Sequence, residues 1–311
     1  MIHTSQFLQV LSGKAPEYTK FQPDQEFSIR SNSSRRRIRI NIYEPSGFDK
    51  SKSYPVHLNF HGSGFMVDMF GTDSDFCRMV SDSTGAIVLD CDYAKGGCST
   101  RQKSIAALVD GVSAPESPFP AATDDVKDVI DHVVANAEGY FDTSRITIGG
   151  FSAGGTLALT AGVSQPKNTL KAVVSLYPCA DLALESAIKN PPPVSKGNSN
   201  PIPPWFNQLV RDSYTPPGTD MSDPRLSPAN TPVSSLPERV LIVVCEEDPL
   251  RYDGVVLAKR LQAEGANVAL KEIPKVVHIW DKSAVNGTSG AEAKYDAYEA
   301  MIDTLRAAYG L

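Results

Sequence analysis

The sequence predicts an α/β fold: a mostly parallel, eight-stranded sheet with helices on both faces. Two observations carry this. Short runs rich in Val, Ile, Leu, Phe and Tyr recur at 26–30, 36–43, 54–60, 86–92, 145–149, 170–177, 239–245 and 267–273, and helix-length stretches separate the later ones. Strand and helix in alternation require right-handed crossovers, which give parallel pairing. A third observation is the glycine-rich junction Ile146-Thr-Ile-Gly-Gly-Phe-Ser-Ala-Gly-Gly155, where a buried strand runs straight into a helix.

The first two runs are joined by a short Ser/Asn/Arg turn, so they should pair antiparallel at an edge of the sheet. Helices are predicted at 122–137, 153–164, 253–265 and 290–308. In the first of these, Thr123 before Asp124-Asp125-Val126 reads as the start signal, with acids in the opening turn. The alternation breaks at 182–237, which holds Pro191-Pro-Pro, Pro201-Ile-Pro-Pro-Trp-Phe206, Pro216-Pro217 and Asp223-Pro-Arg-Leu-Ser-Pro228. Proline at that density suggests an excursion over the sheet, leaving 26–181 and 238–311 as the core. Its aromatics Trp205, Phe206 and Tyr214 either line a pocket, together with Phe65, or only pack on the core.

Composition excludes several classes. With 311 residues, 41% hydrophobic, 21% charged and a net charge of −6, nothing asks for nucleic acid or an anionic membrane. The longest apolar runs, such as Val240-Leu-Ile-Val-Val-Cys245, fall far short of the roughly 20 residues that span a bilayer. The start, Met1-Ile-His-Thr-Ser-Gln-Phe-Leu-Gln-Val10, lacks the basic and apolar regions of a secretory signal, so a cytoplasmic location is expected. Cys77, Cys91, Cys98, Cys179 and Cys245 are an odd set without CxxC spacing, and read as reduced packing residues with no metal role.

The junction carries the chemistry. Gly150-Phe-Ser-Ala-Gly154 matches G-x-S-x-G, in which a sharp strand-to-helix turn lifts one serine out of the sheet. Ser152 is therefore the candidate nucleophile, and the helix start beneath it offers free N–H groups to a developing oxyanion. Upstream, Pro55-Val-His-Leu-Asn-Phe60 runs into His61-Gly-Ser-Gly-Phe65. The N–H groups of Ser63 and Gly64, with that of Ala153, are the candidate oxyanion donors. A serine hydroxyl needs a base, and only five histidines are present. His3 is terminal, His57 lies in a strand, His61 in the oxyanion loop and His132 in a helix before the serine. His278, after the last strand, remains. The orienting acid should follow the strand 239–245: Asp248, held by the turn at Pro249, is favoured over Glu247.

Taken together, His61-Gly-Ser-Gly-Phe65, Asp92-Tyr93, Pro115-Glu-Ser-Pro-Phe-Pro-Ala-Ala122, Gly150-Phe-Ser-Ala-Gly-Gly155, Asp223-Pro-Arg-Leu-Ser-Pro228, Asp248-Pro-Leu-Arg251 and His278 resemble the hormone-sensitive-lipase-like carboxylesterases of the α/β-hydrolase fold. The resemblance covers roughly residues 35 to 300. It implies a cofactor-free esterase acting on a small-molecule ester, with a catalytic Ser, Asp and His and no metal. It also implies a lid built from the N-terminal segment, 1–25, plus the insertion at 182–237; a homodimer is left open.

Three departures stand out. Ser63 replaces the usual second glycine and adds a side chain to the oxyanion loop. Residues Gly96 to Ser113 intervene where the family runs almost directly from the Asp-Tyr pair to the Pro-Phe-Pro segment. They form an extra loop or a translated intron, since deletion would leave Asp92-Tyr-Ala-Lys-Ala-Pro-Glu. The lid is also unusually rich in proline, so its pocket is hard to read. Two other readings stay open: lactone opening, acyl transfer or product release in a biosynthetic pathway, and a non-catalytic small-molecule receptor on the same fold. Retention of His278 speaks against the receptor.

Overall fold

The computed structural model describes residues 21–33, 36–96, 117–183, 193–195 and 204–311, without the side chains of 204–207 and 209. The N-terminal stretch 1–20 with His3, the extra segment beyond Gly96 with Cys98, and much of 184–203 lie outside the described residues.

Eight strands form one sheet: β1 (Gln25–Arg30), β2 (Arg37–Tyr43), β3 (Tyr54–Phe60), β4 (Ile87–Cys91), β5 (Phe141–Phe151), β6 (Leu170–Leu176), β7 (Arg239–Cys245) and β8 (Val268–Ile273). Their order is β1-β2-β4-β3-β5-β6-β7-β8. From β4 through β8 every neighbouring pair is parallel, whereas β2 runs antiparallel to both β1 and β4. The predicted antiparallel edge is present, and the fold class is the one the alternation predicts.

Helices α1 (Ser74–Thr84), α2 (Ala121–Ala135), α3 (Ala153–Thr160), α4 (Pro204–Tyr214), α5 (Arg251–Ala263) and α6 (Ser289–Tyr309) accompany the strands. Phe76 and Val80 of α1 share one apolar core with Tyr298, Met301 and Leu305 of α6. Val126 and Val129 of α2, Leu157 of α3 and Leu257 of α5 belong to the core on the other face. The inner strands β4, β6 and β7 are buried on both sides, which is why these runs read as continuous apolar segments, whereas the edge strands β1 and β8 stay partly exposed.

Two helices depart from the sequence reading. In α1, Ser, Asp and Thr dilute the apolar stripe to Phe76, Cys77 and Val80, with Ser81 and Thr84 filling the rest of the buried face. Helix α4 lies inside the proline-rich insertion and begins at Pro204, because proline in a first turn loses no helical hydrogen bond. A third correction concerns α2, which begins at Ala121 rather than at a Thr123 cap. The Thr123 hydroxyl instead donates back to the Pro120 carbonyl (2.6 Å). Cys77, Cys91 and Cys245 are buried free thiols, and burial pushes their ionisation well up. Among the described residues, no helix is long and apolar enough to cross a membrane.

The connectivity locates the site. From β3 the chain moves outward to β4, then crosses back over β3 to place β5 on its other side. That reversal makes the carboxyl ends of β3 and β5 a topological switch point, where the two departing loops diverge and leave a crevice. The β3 loop carries His61-Gly-Ser-Gly-Phe65, and the β5 turn carries Ser152.

Candidate active site

Ser152 occupies the turn between β5 and α3 with φ 50° and ψ −117°, a backbone conformation that L-residues avoid and that costs of order 1–3 kcal/mol. Hydrogen bonds hold it there: its N–H donates to Leu176 O (2.9 Å), and its carbonyl accepts from Thr156 N (2.9 Å). The glycines around it are required by close approach. A Cβ on Gly154 would sit 1.9 Å from the Phe60 carbonyl oxygen, and one on Gly150 would sit 2.4 Å from the same atom. The β3 backbone therefore passes against the turn, and this brings its loop beside the serine. A Cβ at Gly62 would lie 3.4 Å from Ser152 Cβ.

The loop after β8 delivers His278, whose Nε2 lies 3.0 Å from Ser152 Oγ. Its Nδ1 lies 2.6 Å from Asp248 Oδ2. All three side chains are buried. Asp248 follows β7 in a turn in which Leu250 N donates to Asp248 Oδ1 (2.8 Å) and Arg251 N to its carbonyl (3.0 Å). Of the two acids considered, Asp248 is the one beside His278. Glu247 is also buried, but its carboxylate accepts from the Ser195 hydroxyl, and its N–H donates to Val276 O (3.0 Å).

In the β3 loop, Ser63 and Gly64 follow Gly62, the residue that passes against Phe151 and Ser152. Met66 and Val67 both donate their N–H groups to Ser63 O (3.1 and 3.0 Å). Among the described residues no acceptor takes the N–H of Ser63, Gly64 or Ala153. The Ser63 hydroxyl lies 2.6 Å from Tyr93 Oη. Phe65 stacks on Tyr214 with ring centroids 3.9 Å apart and planes 9° from parallel, and both rings are buried. Trp205 and Phe206 fall in the first turn of α4, and their side chains lie outside the described residues.

Two groups of supporting residues were not singled out from the sequence. Asp92 and Tyr93 were visible only as a motif; their work is to brace the β3 loop. Asp92 lies 3.5 Å from His61 Nε2 and 3.0 Å from Arg39 Nε, and it pairs with the buried Lys95. Burial opposes the Asp92 charge, but the nearby His61 ring and the Lys95 ammonium outweigh this and hold the carboxyl well below its usual range. His61, Asp68 and Asp92 could approach a metal, yet Arg36, Arg39 and Lys95 already neutralise the two acids.

The second group lies beneath the serine and histidine. The Tyr177 ring packs 4.6 Å from the His278 ring, and its hydroxyl donates to Asp281 Oδ1 (2.8 Å). Lys282 pairs with Asp281 (2.9 Å) and Asp73 (2.7 Å), with its ammonium 3.8 Å from the centre of the Phe151 ring. One buried cation thus ties the His278 loop to the strand end that carries Ser152. Burial disfavours the Lys282 charge, but the Asp281 and Asp73 carboxylates outweigh it and hold the ammonium raised.

Comparison with known proteins bears on this geometry. A family model for the alpha/beta hydrolase fold matches residues 97–282. The Mycobacterium tuberculosis carboxylesterase NlhH is 31% identical over 284 residues, covering 87% of this chain and 79% of that one. The chain belongs to the hormone-sensitive-lipase-like carboxylesterases of the α/β-hydrolase fold. By family it is a carboxylic ester hydrolase. The hydrolase is also similar to an ethyl acetate hydrolase of Pseudomonas putida, at 27% identity over 86% of this chain and 78% of the other. An esterase from Pyrobaculum calidifontis superposes with a TM-score of 0.72 at 21% identity, over 98% of this chain and 91% of that one, and so shares its fold.

Proposed function

We propose that the hydrolase cleaves carboxylic esters of small to medium acyl groups by two-step acyl transfer, with Ser152 as nucleophile, His278 as base and Asp248 as the orienting acid. The observation that carries this is the unbroken line from Asp248 Oδ2 through His278 to Ser152 Oγ, with contacts of 2.6 and 3.0 Å. In this reading Nδ1–H donates to Asp248, which leaves Nε2 as the acceptor for the serine proton. Ser152 attacks the ester carbonyl as His278 takes that proton, and Asp248 stabilises the imidazolium. The N–H groups of Ser63, Gly64 and Ala153 receive the negative oxygen. His278 then returns its proton to the leaving alcohol, and water, deprotonated by the same ring, hydrolyses the acyl-enzyme. Similarity to an ethyl acetate hydrolase supports a short acyl and alcohol.

The residues that would be dispensable in a receptor are all present and in contact, which favours turnover over ligand sensing. The experiment is Ser152→Ala assayed on a short-chain aryl ester, with a fluorophosphonate probe on the native protein. The variant should keep its fold and lose at least about a thousandfold in turnover, and the native protein should label at Ser152. Undiminished turnover in the variant would remove the proposal, and an ester and lactone panel would then narrow the acyl acceptor and substrate.

A further inference from the structure

The hydroxyl of Ser63 belongs to a hydrogen-bonded line whose direction is set by counting protons. Tyr93 donates its single phenolic hydrogen to the His61 carbonyl (2.7 Å). The Ser63 hydroxyl, 2.6 Å from Tyr93 Oη, must therefore donate to it. Ser63 Oγ in turn accepts from the Phe65 N–H (2.8 Å). The line begins and ends in the same loop, at Phe65 N and His61 O, and it brackets Ser63 and Gly64.

Its members are held from outside. The Tyr93 ring stacks on His61 with centroids 4.7 Å apart, and the Lys95 ammonium lies 4.7 Å from its centre on an ion pair with Asp92. Burial pushes the Tyr93 phenol far up, so it stays protonated as a donor. Within the loop, Gly64 and Phe65 have φ of 55° and 59°; for phenylalanine that region is strained. The bond from Phe65 N to Ser63 Oγ keeps the strained residue in place. It also spends the first amide after Gly64, as the Ser63 carbonyl spends the next two.

We propose that the Ser63 hydroxyl is a positioning group which, with Tyr93, fixes the aim of the Ser63 and Gly64 N–H groups. A glycine at this position has no acceptor to offer the Phe65 amide, so in this chain a side chain secures the loop. The inference rests on the acyl-transfer reading above. It predicts a loss in the chemical step rather than in substrate binding, because the hydroxyl is committed to Tyr93 and to the Phe65 amide.

The experiment measures kcat and KM on a p-nitrophenyl ester for Ser63→Ala, Ser63→Gly, Ser63→Thr, Tyr93→Phe and the double variant S63A/Y93F. Each break in the line should lower kcat by about ten- to a hundredfold with KM within about twofold, the range expected when an oxyanion donor is misplaced. The double variant should fall no further than its weaker parent, because a line already broken cannot be broken again. Ser63→Thr, which keeps a hydroxyl, should recover activity relative to Ser63→Ala. Turnover of both Ser63→Ala and Ser63→Gly within about twofold of native, or single losses that multiply in the double variant, would overturn the inference. Glycine is the residue usual in the family, so Ser63→Gly serves if the alanine variant does not fold. Fluorophosphonate labelling separates the two claims. A native protein that labels and turns over, with Ser63 variants equal to it, refutes only the role of the hydroxyl; a native protein that does neither refutes the acyl-transfer reading beneath it.

Discussion

His57 gives the molecule an acid-labile point whose size follows from its surroundings. It lies on β3, fully buried, with Nδ1 3.0 Å from Thr147 Oγ1 and its ring against Phe76. No described residue takes its Nε2. Burial lowers its pKa from 6.5 to about 3, so the native protein holds it neutral while the unfolded chain protonates near 6.5. Between those values the unfolded state binds more protons, and stability falls as pH falls. The loss is negligible above pH 7.5, reaches about 2 kcal/mol at pH 5 and approaches its full size of about 5 kcal/mol only below pH 3. Asp90 acts in the opposite sense, so the native profile alone mixes the two. The clean measurement is urea unfolding of the native protein and His57→Leu at pH 5, 6, 7 and 8. The gap between the two curves should shift by about 2 kcal/mol in favour of the variant on going from pH 8 to pH 5. Parallel curves would refute the reasoning, whatever the variant's absolute stability.

Asp90 is raised to about 7, first by burial and then by the nearby Asp73 charge. Stability from this group is fully present below the carboxylate's unfolded value and is lost as pH rises through 7. Asp90→Asn should therefore gain on the native protein by about 2 kcal/mol between pH 5.5 and pH 8, read by the same denaturation series. Lys282→Met would leave Asp73 and Asp281 buried without their cation; it should cost about 3–5 kcal/mol and lower the thermal midpoint by at least about 6 °C. Gly154→Ala forces a Cβ to within 1.9 Å of the Phe60 carbonyl oxygen. It should destabilise by about 3 kcal/mol or more, seen as a lower urea midpoint, because both partners are backbone and neither can rotate away.

The inner strands were legible because β4, β6 and β7 are nearly continuous apolar runs buried on both faces, a pattern that depends on local composition, whereas the edge strands β1 and β8 mix apolar and charged residues and stay partly exposed. The helices α2, α5 and α6 were legible because apolar residues recur at helical spacing along one buried face, and α3 because it is apolar throughout. Helix α1 was not, since polar Ser74, Ser81 and Thr84 occupy its buried face, and a pattern of apolar residues cannot reveal a face completed by hydroxyls. Helix α4 was hidden by the prolines before it. Among the candidate site residues, Ser152, His278 and Asp248 could be named from motif, elimination and chain order. Tyr177, Asp281 and Lys282 could not, because a lone tyrosine, aspartate or lysine carries no signal until packing shows what it touches.

From the sequence alone came the fold class, the strained serine between two glycines, and the histidine and acid that follow it in order. These depend on local backbone sterics and on which strand precedes which loop, and both are written along the chain. Only the tertiary structure decided that Asp248 rather than Glu247 meets His278, since the two are adjacent and differ only in which way the turn at Pro249 points them. It alone decided that the Ser63 hydroxyl turns to Tyr93, a partner thirty residues away brought near by the pairing of β3 with β4. It alone placed one buried lysine beneath both the end of β5 and the His278 loop. Contacts between distant residues arise from how the sheet closes, and no local pattern encodes them.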